Sequence, residues 1–160
     1  MKRNAGAGQE SVWDYPRPPR LARDTREVTI VAAGIEIARS RSAIRVLETA
    51  SPPTFYLPLA DVHRDHLEPA GGRSYCEWKG EARYWHVVVG GARIERAAWS
   101  YPDPRPPYRD ITWHLAFYAG LLDCRVDGVR VVPQPGAFYG GWITPEIVGP
   151  FKGEPGTEGW

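Results

Sequence analysis

Two cysteines (Cys76 and Cys124), one methionine and three lysines (Lys2, Lys79 and Lys152) are all that 160 residues hold of these types. So few cysteines exclude a disulfide scaffold, and the absence of Cys-x-x-Cys argues against a structural zinc ribbon. No apolar run approaches the ~20 residues of a membrane-spanning helix. The opening Met1-Lys-Arg-Asn-Ala-Gly6 lacks the apolar stretch of a signal peptide, so the expectation is a cytoplasmic protein with free thiols. Also missing are a Gly-x-Ser-x-Gly elbow, a Gly-Lys-[Ser/Thr] phosphate loop and any Asp-x-Asp or Asp-x-Glu pair to hold two magnesium ions. The last absence argues against polymerase-like nucleotidyl transfer. Net charge is nearly absent as well. Twenty Lys+Arg against 19 Asp+Glu give +1, too little for a general nucleic-acid or membrane binder. Interleaved Arg and aromatic residues in Tyr101–Arg109 leave single-strand binding as a minor class.

What the chain has in quantity is 17 Gly, 16 Pro, 7 Trp and 8 Tyr. The first two are breakers of regular structure, but a hydrophobic fraction of 42% still builds a core, and the length suits one domain. Residues 1–10 are small and polar and are expected to be disordered. A Pro-rich arm over 11–26, anchored by Trp13 and Tyr15, should lie on the domain rather than join a sheet. The core should run from about 27 to 132. Val28–Val31 and Ile35–Ala38 read as a hairpin about Gly34. In the strand Ile44–Glu48, Ile44 and Val46 share one face and Arg45 and Leu47 the other. Thr54–Leu57 reads as extended, and Leu59–Leu67 as about two helical turns. Gly90-Gly91, between Glu81–Val89 and Ala92–Trp99, is the strongest hairpin signal. Prolines 102, 104, 106 and 107 forbid regular structure before a short helix near Asp110–His114. Short strands then follow at Leu115–Tyr118, Cys124–Val126 and Val129–Val132. The tail 133–160 carries Phe138, Tyr139, Trp142, Ile143, Phe151 and Trp160, and should wrap the core. Strand-like runs recurring about every ten residues predict a mainly β, antiparallel, single-domain fold with one or two short helices and long Gly/Pro-rich aromatic loops.

Two segments crowd polar and aromatic groups where turns should be. In Tyr75-Cys-Glu-Trp-Lys-Gly-Glu-Ala-Arg-Tyr-Trp85, Lys79 lies three residues from the Cys76 thiol and would favour its thiolate. Gly80 permits positive φ or close approach of a ligand. The plainer reading is a buried Cys at a strand end beside a snorkelling Lys. In Ala97-Ala-Trp-Ser-Tyr-Pro-Asp-Pro104, Trp99 and Tyr101 either wall a pocket or cover a sheet end. Glu48 closes an apolar strand and needs a partner, with Lys79 and Arg83 as candidates, either as a structural ion pair or as a general base. His63 and His66, at i and i+3, lack a third ligand, and Gly71-Gly72-Arg73-Ser74 reads as a loop. Cys124 reads as core. His86 and His114 read as hydrogen-bonded structural residues.

Taken together, Arg45-Val-Leu-Glu-Thr49, Cys76–Trp85, Ala97–Pro104, Phe138-Tyr-Gly-Gly-Trp-Ile-Thr144 and the ending Val148–Trp160 resemble the Domain of Unknown Function 427 family in its longer bacterial form. Shorter relatives resemble only about Gly34 to Asp127, so the arm and tail look like additions to a core. The resemblance implies a β-tent fold similar to that of methionine-R-sulfoxide reductases and a small zinc-binding exchange factor. The zinc-binding Cys pairs of those proteins have no counterpart here. It carries over Glu48, Tyr56, Cys76, Lys79, Gly80, Tyr84, Trp99 and Tyr101 without a reaction attached. The expectation is therefore a small-molecule binding domain, probing an anionic ligand with Glu48, Tyr56, Lys79, Gly80, Tyr84, Trp99 and Tyr101 in an aromatic-walled pocket. The competing readings are an enzyme using Cys76, Lys79 and Glu48 as catalytic groups, and a protein-interaction module built on the arm and tail. No metal or cofactor is implied, and a small molecule is the expected partner rather than a membrane or nucleic acid.

Overall fold

The computed structural model describes residues 6–136, 139–157 and 159–160. Short alternating apolar runs make strands of much of this chain. They are β1 Glu10–Ser11, β2 Arg20–Asp24, β3 Val28–Ala32, β4 Ile35–Ser40, β5 Ala43–Leu47, β6 Thr54–Tyr56, β7 Leu67–Cys76 and β8 Gly80–Val89. After these come β9 Ala92–Ser100, β10 Leu115–Phe117, β11 Asp123–Val126, β12 Val129–Arg130, β13 Val132–Pro133, β14 Trp142–Ile143 and β15 Ile147–Val148. The fold is mainly β and antiparallel, with one short parallel pair, β1 with β15.

Two four-stranded sheets, β10-β9-β8-β7 and β12-β11-β3-β4, and one three-stranded sheet, β2-β5-β6, carry the architecture. Reciprocal 2.8 Å hydrogen bonds between Leu57 and Leu115 join the end of β6 to β10, linking the three-stranded sheet to the first four-stranded one. The Gly90-Gly91 hairpin forms as its chemistry predicts, with both glycines at positive φ, the requirement of a tight type I′ connection.

Strand periodicity divides the buried residues between two faces. Phe55, Leu57, Leu115 and Phe117 enter the main core with Val28, Ile30, Ile37, Val87 and Cys124. Their neighbours Tyr56 and Ala116 point the other way, into a second cluster with Ile44, Val46, Ala82, Trp99 and Tyr101. Ile44 and Val46 thus share a face as the alternation in β5 requires, and Leu47 joins a third cluster with Val12, Tyr15 and Ile147.

The tail's anchoring is clearest at Trp142, which is 1% exposed, stacks on Phe55 at 4.9 Å and donates its indole N–H to the Phe117 carbonyl. Phe138 lies outside the described residues. At the other end of the chain, Gly6–Gln9 forms a turn and Glu10 pairs with Ile147, while residues 1–5 lie outside the described residues.

Several local expectations are corrected. The arm joins sheets at both ends, through β1 and through β2 against β5, and only its Pro-rich middle lies on the domain. Leu59–Leu67 is not helical over two turns. Two 3-10 turns, Leu59–Asp61 and Arg64–His66, flank Val62, which bridges to Ala38, while the His63 N–H bonds to the Ile37 carbonyl. Cross-strand pairing there replaces the helical ladder. The stretch Gly71-Gly72-Arg73-Ser74 belongs to β7, which accommodates it by shifting register between Pro69 and Arg73. The short helix begins earlier than expected, as a 3-10 helix over Pro106–Ile111, because prolines fit the first helical turn without losing a needed donor. Val129–Val132 is two strands: Val132 leaves β12 to pair with Ile143.

Candidate functional site

The face opposite the main core holds the residues singled out from sequence. Val46 and Glu48, Thr54 and Tyr56, Ser74 and Cys76, Ala82 and Tyr84, and Trp99 and Tyr101 are pairs spaced by two. All ten line one cavity of about 260 Å³ together with Lys79. A period of two on adjacent strands thus gathers residues from five separate stretches of sequence onto one surface. The tail and neighbouring loops close it from the other side with Pro52, Gln134, Tyr139, Gly140 and Lys152.

Hydrogen bonds fix the walls. The Trp99 indole N–H donates to the Tyr56 hydroxyl at 3.2 Å, and Tyr118 packs on the Trp99 ring with centroids 4.5 Å apart. Tyr84 shares a 2.8 Å hydrogen bond with Ser74 across the β7–β8 pair, and the Arg96 guanidinium lies 4.0 Å over its ring. Burial pushes both the Tyr56 and the Tyr101 hydroxyls well above the usual phenol range, so both are neutral donors at physiological pH.

Lys79 is 9% exposed, and its ammonium lies 5.6 Å from the Tyr101 ring centroid. Burial works to lower its pKa, but Tyr101, Cys76 and Glu48 outweigh it and hold the value above that of an ordinary lysine. The amine is therefore charged, a cation inside an aromatic enclosure. Cys76, half-buried at the end of β7, lines the same cavity as Lys79. Gly80 follows at φ +107° and does not itself line the cavity. A side chain there would approach the backbone of Asp103 and Arg105, and the Arg105 N–H donates to the Lys79 carbonyl at 2.9 Å. That approach is at ordinary contact distances, so it is the left-handed φ that favours glycine at this turn.

Glu48 forms an ion pair with Arg17 of the arm at 3.8 Å, a partner not expected from sequence. Arg83 takes Glu81 instead. The acidic and basic candidates Glu48 and Lys79 do face one cavity, and Glu48 acts on Lys79 through its charge. Cys124 is 1% exposed in the core, where burial drives its thiol well above the ordinary range. His63 faces Glu36 at 3.5 Å and His66 the Val88 carbonyl at 2.9 Å, so the two imidazoles take separate partners. His86 accepts from the Arg96 N–H and His114 meets the Thr112 carbonyl, both as structural residues.

The tail's contribution was not read from sequence. Gln134, 6% exposed, accepts from the Gly141 N–H and donates to the Lys152 carbonyl, bracing the two halves of the tail. Lys152 lies 5.4 Å over the Tyr139 ring. Gly140 rests directly on Trp99: a Cβ there would sit 2.8 Å from its Cζ2 and closer still to the ring's outer edge. The Gly-Gly after Tyr139 was the available signal, since paired glycines flanked by aromatics mark close backbone–ring approach.

No curated protein matches this chain. The model of the family described as Domain of unknown function (DUF427) matches residues 20–131, which contain the sheet side of the cavity and exclude Gln134, Tyr139, Gly140 and Lys152. With more than half its length matched, the chain belongs to that family.

Proposed function

We propose that the cavity binds a small anionic molecule, with Lys79 as its charged anchor and Tyr56, Trp99 and Tyr101 as its walls. The observation that carries this reading is the balance of charge in the cavity. Its described lining holds two ammonium groups, Lys79 and Lys152, against one carboxylate, Glu48, which already faces Arg17. A buried cation without a carboxylate of its own favours an anion that shares its desolvation. Planar aromatic walls suit a flat, conjugated acid, and neutral Tyr101 and Tyr56 hydroxyls offer hydrogen bonds to it.

Benzoate is the probe. Calorimetric titration is expected to show binding that weakens at least about tenfold in Lys79→Met, as expected when a hydrogen bond to a charged group is lost. Lys152→Met, at the more open side of the cavity, is expected to change it by less than about threefold. Equal affinity in wild type and Lys79→Met would remove the basis of the proposal.

A second reading rests on Cys76 and Lys79 lining the same cavity. If Cys76 serves as a nucleophile, iodoacetamide labels it faster than buried Cys124, and Lys79→Met slows Cys76 labelling severalfold because the facing ammonium is gone. An unchanged Cys76 rate in that variant leaves exposure as the whole explanation and ends the catalytic reading. The commitment of the tail's anchor Trp142 to the chain's own core disfavours the interaction-module reading.

A further inference from the structure

A second cavity, of about 500 Å³, lies beside the first. The two share Tyr84, Tyr118, Gln134, Tyr139 and Gly140, which form the partition between them. Their chemistry differs. The inner chamber carries Lys79, Cys76 and Glu48 on an aromatic lining. The outer one presents mainly apolar surface from Ala119, Leu121, Pro133 and the ring faces of the partition, with Glu95 and Arg96 at its rim. Leu121 is 52% exposed, an apolar side chain left uncovered at this chamber. The far wall is built by the tail residues Pro133, Gln134, Gly136, Tyr139, Gly140 and Gly141, outside the segment shared with the family.

We infer that the two chambers form one site for an amphipathic acid, with its anionic head at Lys79 and its apolar body passing the tyrosine partition into the tail-built chamber. This rests on the reading of Lys79 as an anion anchor and adds the class of molecule bound. An apolar body removes the exposed Leu121 and Pro133 from water, and each buried methylene strengthens binding by about fourfold. A head of benzoate size fits within the inner chamber of about 260 Å³. Carbons added opposite the carboxylate can reach the outer chamber across the residues that the two cavities share. The same geometry gives the tail its role: it supplies the wall that sorts long acids from short ones.

The test is a calorimetric series of benzoate, 4-ethyl-, 4-butyl- and 4-hexylbenzoate against the full chain. Affinity is expected to rise with alkyl length, by up to about fourfold per methylene. Two variants locate the alkyl group, each read as its own ratio of hexylbenzoate to benzoate affinity. In Gly120→Phe the new side chain starts 3.9 Å from Pro133 and fills the outer chamber, so the ratio is expected to collapse toward one. In Leu121→Ser an apolar contact is removed at an exposed position, so the ratio is expected to fall severalfold. Benzoate binding with a flat or falling alkyl series would overturn the two-chamber inference and leave the Lys79 reading intact. A rising series with ratios unchanged in both variants would place the body elsewhere and overturn it too. Failure of every acid to bind would defeat the Lys79 reading itself.

Discussion

Gly140→Ala is expected to disrupt both the stability of the protein and its pocket. A Cβ at this position would fall inside the van der Waals envelope of the Trp99 ring, with Cζ2 only 2.8 Å away. The ring has little room to retreat. Tyr118 packs on it at 4.5 Å, and its N–H is tied to the Tyr56 hydroxyl. Neither can the backbone recede easily, because Gly141 is held by Gln134 and a Cβ on Gly141 would stand 2.6 Å from the Pro52 carbonyl. Overpacking of a confined site costs about 1–3 kcal/mol, and the confinement on every side puts this case at the upper end. Urea denaturation should register that loss, and benzoate affinity should fall at least about tenfold as Trp99 shifts. A stability change below about 0.5 kcal/mol with binding intact would show that the tail does not press on Trp99 as described.

The second large effect concerns the ion cluster that fastens arm and tail to the sheet. Arg45, on the face of β5 opposite Ile44 and Val46, faces Glu10 of β1 at 3.0 Å and Asp24 at the end of β2 at 3.4 Å. Arg26 pairs with Asp24 at 2.7 Å and with Glu146 of the tail. The Tyr15 hydroxyl donates to Glu10 at 2.7 Å. Side chains of Arg45 and Asp24 are only 11% and 8% exposed, so removing the shared cation leaves Asp24 buried with one partner fewer. Arg45→Met is therefore expected to cost about 3 kcal/mol.

The same cluster sets the acid sensitivity. Burial works to raise the carboxyls of Glu10, Asp24 and Glu146, but their hydrogen bonds outweigh it and hold all three below their ordinary values. Arg45 and Tyr15 act on Glu10, Arg26 on Asp24, and a backbone group and Arg26 on Glu146. A lowered folded-state value means that the stability is fully present above the unfolded values of 4.5 for the glutamates and 3.8 for Asp24. It is lost as the pH falls from there through the folded values. Wild type should therefore lose stability steeply below about pH 4.5, and Arg45→Met should show a shallower loss over the same window. Parallel pH profiles for the two proteins would contradict this assignment.

The parts of the fold readable from sequence were those governed by neighbours along the chain. Gly90-Gly91 specifies a tight turn by local chemistry, and the alternation in β5 places Ile44 and Val46 correctly because one face is buried. Long-range pairing overrode local signals elsewhere. Gly71-Gly72-Arg73-Ser74 reads as a loop, but pairing with β8 carries a strand through it by a shift of register. Val62 sits in an apparent helix and is drawn into a bridge with Ala38. The site divides in the same way. Its sheet side was named as a set from the family resemblance, and strand periodicity explains why Glu48, Tyr56, Cys76, Tyr84, Trp99 and Tyr101 face one cavity with Lys79. Its roof could not be read. Gln134, Tyr139 and Lys152 meet these residues across irregular chain with no period, and the Arg17 partner of Glu48 comes from the opposite end of the sequence.

The scarcity of lysine makes the central claim directly measurable. With only Lys2, Lys79 and Lys152 in the chain, a carbon-13/nitrogen-15 correlation of the side-chain ammonium groups holds three signals, assignable by substituting Lys79 and Lys152 in turn. Saturation with benzoate is expected to shift the Lys79 signal strongly and to move that of Lys152 slightly. An unmoved Lys79 signal, in a sample where calorimetry shows benzoate bound, would contradict the account.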